Sequence, residues 1–79
     1  MEGAPRLENY YFTIACQKQK SGDFKAAKTY YTEAAAKYGE ALKVAHSEDI
    51  KNELRASLEE CLNEAEKCKA NHELLLQAN

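Results

Sequence analysis

Apolar and polar positions alternate along this 79-residue chain with the period of helices. After Pro5, a first helix from about Leu7 to Gln19 sets Tyr11, Ile14, Ala15 and Lys18 on a broad face, with Phe12 and Cys16 to one side. The run Tyr10, Tyr11, Phe12 would suit a strand, but no alternation continues beyond it, so a helix is predicted. Ser21, Gly22 and Asp23 then read as a turn: Gly22 tolerates a bent backbone, and Asp23 can accept hydrogen bonds from the first amides of a following helix. In that second helix Phe24, Ala27, Tyr31, Ala34, Tyr38, Ala41 and Ala45 recur at spacings of three and four, which defines one helical face. Gly39 interrupts it at a cost of about 1 kcal/mol relative to alanine, which predicts close contact with a neighbour in preference to a bend. Glu33 and Lys37 are spaced to pair.

His46 to Asp49 break the stripe. Ser47 supplies a cap, and Glu48 and Asp49 fall in a first turn where the helix dipole favours acids. The third helix then presents Ile50, Leu54, Leu58, Cys61, Ala65 and Cys68 on one face. Leu58, Leu62 and Glu66 form a second line displaced around the cylinder, and Leu74 to Leu76 either extend the helix or fray. Short connections make successive helices antiparallel neighbours. The expected fold is all-α: one three-helix up-down-up bundle over residues 7–77, with flexible ends at 1–6 and 78–79.

Composition changes this picture in one respect. Hydrophobic types make up 44% of the chain, but alanine supplies many of them and tryptophan is absent, so the core has to form by close approach of backbones. Eleven basic residues against 13 acidic ones, a net charge of -2, give no general pull toward nucleic acid or anionic lipid. No stretch approaches the about 20 apolar residues that span a bilayer, and the first residues lack the basic-then-apolar order of a secretory signal. A soluble, cytoplasmic, monomeric domain without direct membrane insertion is expected.

Catalytic and metal chemistry lack the residues they require. Cys16, Cys61 and Cys68 are odd in number and without metal-site spacing, and read as core thiols. No phosphate-binding glycine loop exists, since Gly22 and Gly39 are isolated. Glu59, Glu60, Glu64 and Glu66 read as a solvated helical surface. No catalytic residue, cofactor site or metal site is assigned.

The stretch Gly22, Asp23, Phe24, Ala27, Tyr31, Ala34 resembles the second half of a tetratricopeptide repeat, with Tyr11, Ile14 and Ala15 at the preceding packing positions. The pattern does not restart within the next repeat length, so a single hairpin packed by a third helix is favoured over an array. Taken together, GDFKAAKTYYTEAAAKYGEALK and HSEDIKNELRASLEECLNEAEKCK resemble the microtubule-interacting and trafficking (MIT) domain family over nearly all of residues 7–73. The family's third-helix pattern K-x-x-(L/I)-R-x-x-x-x-x-(Y/C)-L-x-x-A-E-x-x-K falls on Lys51, Leu54, Arg55, Cys61, Leu62, Ala65, Glu66 and Lys69.

That resemblance implies a noncatalytic adaptor that recruits a parent protein, such as an ATPase, protease, deubiquitinase or kinase, to C-terminal peptide motifs of ESCRT-III subunits at endosomes or other remodelling membranes. One type of motif would lie as a helix between helices two and three, and another as an extended segment between helices one and three. Leu62, Ala65 and Glu66 match groove positions of the family, with Lys51 and Arg55 near the groove's end. On residue chemistry, Leu58 and Leu62 offer more apolar surface than an inner face needs, flanking small Ala65, while Glu66 suits a basic side chain of the visitor. The alternative is that helix two simply buries both leucines. Glu59 departs from the family, which has an apolar residue there, and favours a more basic partner; Gly39 replaces a larger apolar residue. Tyr10 and Phe12 are candidates for the rim of the second groove, or for the core. The competing functional expectations are a tetratricopeptide-like scaffold fragment and a microtubule-contacting domain, the latter requiring a clustered basic face.

Overall fold

Serine, glycine and aspartate at 21–23 end one helix and begin another. In the structure, a computed structural model that describes the backbone of residues 7–78 and the side chains of residues 9–77, the first helix (α1) spans Leu7–Lys20. It closes in a Schellman turn: the Asp23 amide donates to the Lys18 carbonyl at 2.9 Å and the Gly22 amide to that of Gln19 at 3.0 Å. Gly22 has φ +85°, the left-handed conformation that glycine adopts without a Cβ penalty. Asp23 then caps the second helix (α2, Phe24–Val44) by accepting from the Ala26 amide at 3.2 Å. The third helix (α3, Glu48–Ala78) opens on Ser47, whose hydroxyl receives the Ile50 amide at 3.5 Å, with Glu48 and Asp49 in its first turn. Leu74–Leu76 continue this helix, and Ala78, expected in a flexible tail, is its last residue. The expectation of flexible ends at 1–6 and at 79 falls outside the described residues.

The architecture is an all-α bundle of three helices, with α2 packed against both of the others and α1 and α3 meeting only marginally. The core is Ala15, Ala27, Ala34, Ala35 and Ala65 with Tyr31, Tyr38, Leu54, Cys61 and Cys68. Alanines let the helix axes approach, and the two tyrosines fill what remains. Tyr38 donates to Asn9 Oδ1 at 2.9 Å, and Phe12 meets the Tyr31 ring edge-on at 5.5 Å.

Three details differ from the sequence expectation. The face of α1 packed on the core is centred on buried Ala15 and takes in half-buried Tyr11, Phe12 and Cys16; Ile14, equally half-buried, is not among the side chains packed there. Lys37 pairs with Glu40 at 3.9 Å and not with Glu33. A Cβ on Gly39 would sit 3.7 Å from Leu58 Cδ1, an ordinary van der Waals distance, so close approach does not require glycine there.

Candidate peptide-binding seam between α2 and α3

Helical spacing fixes which flank of α3 faces outward beside α2. Lys51, Arg55, Leu58, Leu62, Glu66, Lys69, Glu73 and Leu76 follow one another at steps of three or four and form one continuous ridge. Leu58 places this ridge next to α2, because its Cδ1 lies against Gly39. The opposite flank belongs to α1: Gln19 Nε2 donates to Glu64 Oε1 at 3.1 Å, and Glu64 is also paired with Lys67 at 3.3 Å.

Along the ridge the expected groove residues differ in accessibility. Leu62 is 47% exposed, Leu58 half-buried and packed on the core, and Glu66 exposed. Ala65 is 8% exposed and belongs to the core, so it forms the floor behind the ridge and offers almost no surface of its own. Lys51 is half-buried; Arg55 is exposed and donates to Asn52 Oδ1 at 3.0 Å. Glu59, one residue beyond Leu58, is exposed on the outer side.

The two aromatics considered for the second groove separate. Phe12 is half-buried against Tyr31. Tyr10 is 54% exposed and stands edge-on to Tyr11 at 5.7 Å, which in turn stacks on Tyr30 of α2 at 6.3 Å. Two residues apart on a helix, they point about 200° around the axis from one another. They therefore do not form one rim.

Among the described residues, one hollow lies at each end of the α2–α3 pair. One, of about 470 Å³, sits where α2 passes into α3 and is lined by Ala41, Val44, Ala45, His46, Ser47, Ile50 and Leu54. The other, of about 330 Å³, lies at the upper end of the α2–α3 seam and is lined by Phe24, Lys25 and Lys28 from α2 with Lys69, His72, Glu73 and Leu76 from α3. The ridge through Leu62 runs into this second hollow. Sequence reasoning missed it; the available signal was Lys25, a cation in a first helical turn that holds no acid and where the dipole favours one.

Interior chemistry is held in neutral form. Tyr31 donates to Gln19 Oε1 at 2.7 Å, and Cys16 Sγ lies 3.3 Å from the Tyr31 hydroxyl, completing a path from α2 through α1 to Glu64 on α3. Burial, followed by the Cys16 contact, raises the Tyr31 pKa well above the usual phenol range. Burial, helped by Glu60 and Cys16, pushes the Cys61 thiol up to about 11, and burial with Glu64 raises Cys68. Such thiols are poor nucleophiles at neutral pH. Among the described residues no group of three His, Cys, Asp or Glu side chains is placed to hold a metal ion, and no helix is long and apolar enough to cross a membrane.

The chain is thus a three-helix bundle with an amphipathic seam and a basic hollow at its end. It matches no family model, no curated protein and no solved structure.

Proposed function

We propose that this domain is a noncatalytic adaptor that binds a short amphipathic peptide along the α2–α3 seam, and that its partners are C-terminal motifs of ESCRT-III-like proteins at remodelling membranes. The observation that carries the reading is Leu62: a large apolar side chain left 47% exposed beside Leu58, on a ridge flanked by charged Lys51 and Arg55 before it and Glu66, Lys69 and Glu73 after it. This alternation suits a helix that buries leucines on Leu58 and Leu62 while its charges meet Glu66 on one side and Lys51 or Arg55 on the other. A few helical turns bury little area and must order on binding, so affinity is weak to moderate.

Titration of the isotopically labelled domain with ESCRT-III tail peptides tests this. Amide signals of residues 54–69 move, and Leu62→Asp, which changes an exposed side chain and leaves the helical circular dichroism intact, removes most of the response. Absence of any response across a panel of helical and extended tails refutes the proposal.

A further inference from the structure

We infer that the hollow at the upper end of the seam is an anchor site for an acidic peptide segment, taking one leucine- or phenylalanine-sized side chain between Phe24 and Leu76 while carboxylates on either side meet Lys25, Lys28 and Lys69. Charge complementarity is the argument. The chain as a whole is slightly acidic, at -2, yet this hollow gathers three lysines against the single carboxylate of Glu73. None of the three lysines is engaged in an ion pair. Lys25 stands in the first turn of α2, where the positive end of the helix dipole opposes a cation, and the one acid at that end, the N-cap Asp23, accepts from the Ala26 amide. The side chains that line the hollow therefore carry a net positive charge, three lysines to one glutamate.

The floor decides between acidic ligands. Phe24 is half-buried and packs on the core, whereas Leu76 is 62% exposed over the same hollow, so an apolar side chain entering there removes water from both. About 330 Å³ is at the lower limit of small-ligand pockets, room for one large side chain and not for an extended cofactor. A free phosphate gains nothing from that floor. A bilayer surface does not enter a recess between two helices with Glu73 on its rim. The site differs from the Leu58–Leu62 surface in chemistry, being basic where that surface carries Glu59 and Glu66, and it does not depend on the seam being occupied.

The test uses the labelled domain with an acetylated, amidated, glutamate-rich peptide carrying one central Leu-Phe pair. Its controls are the same peptide with lysines for glutamates, the same peptide with two alanines for Leu-Phe, and vesicles of phosphatidylcholine with phosphatidylserine. The glutamate peptide shifts amides at 24–28 and 69–76, and Lys28→Glu with Lys69→Glu weakens it at least tenfold. Both lysines are exposed, so circular dichroism of the double variant stays native. Added salt weakens binding as well. The proposal is overturned by no shift with the glutamate peptide, by equal binding of the lysine or the alanine peptide, or by vesicles engaging the lysines while the peptide does not. Failure here with ESCRT-III tails still shifting residues 54–69 removes the anchor alone; the converse removes the seam reading alone.

Discussion

Tyr31 shows how one residue joins three helices. Its hydroxyl donates to Gln19, so the Cys16 thiol donates to it in turn, and Gln19 passes the connection on to Glu64. Because α1 and α3 otherwise meet only marginally, this path is a principal tie between them. The same burial that shields it keeps Tyr31, Cys61 and Cys68 protonated. For each of these groups the folded pKa lies above the unfolded one, so the native state holds the proton longer. Stability is complete below the unfolded thiol range and falls as pH rises from about 9.0 toward about 11, where the native Cys61 thiol ionises. Urea unfolding under reducing conditions, followed from neutral to alkaline pH, shows a midpoint that drops across that interval. Cys61→Ala, less stable at neutral pH because it leaves a cavity, has a shallower drop.

At the level of elements, the helix boundaries were legible because each is marked by local chemistry: Gly22 and Asp23 at one turn, Ser47 with two acids at the other. The rotation of α1 was not. Its apolar residues, Tyr10 to Phe12 and Ile14 to Cys16, run around most of the cylinder, so periodicity leaves the buried face open and the positions of Tyr31 and Tyr38 choose it. The choice of Glu40 over Glu33 by Lys37 follows from weak energetics, since exposed pairs differ by only a few tenths of a kcal/mol. The α3 ridge could be read from its spacing, whereas the basic hollow could not, because it needs the start of α2 brought beside residues more than forty positions later. Gly39 is the element-scale surprise. With 3.7 Å to Leu58 Cδ1 there is room for a methyl group, so Gly39→Ala should stabilise α2 by about 1 kcal/mol through helix propensity. Thermal unfolding measures this as a rise in midpoint of several degrees; a fall would mean that the α2–α3 contact is tighter than this distance.

The whole molecule is longer than its residue number requires. Its radius of gyration is 14.0 Å, against about 12 Å for a compact chain of this size. The excess comes from α3, about 46 Å of helix for 31 residues, beside an α2 of about 31 Å. The last core residue on α3 is Cys68, yet the helix continues to Ala78 with Leu74, Leu75 and Leu76 each more than half exposed. An extension that supplied stability would bury those leucines; this one instead supplies His72, Glu73 and Leu76 to the hollow. Ending the chain after Asn71 therefore separates folding from binding. Because the core remains whole, the loss is about 1 kcal/mol or less, and the thermal midpoint falls by no more than about 5 °C. The glutamate-rich peptide, however, loses its apolar anchor and its shifts at 24–28 disappear. A collapse of the fold on this truncation would make the overhang a structural part of the bundle; unchanged peptide binding would show that Phe24 and the lysines alone suffice.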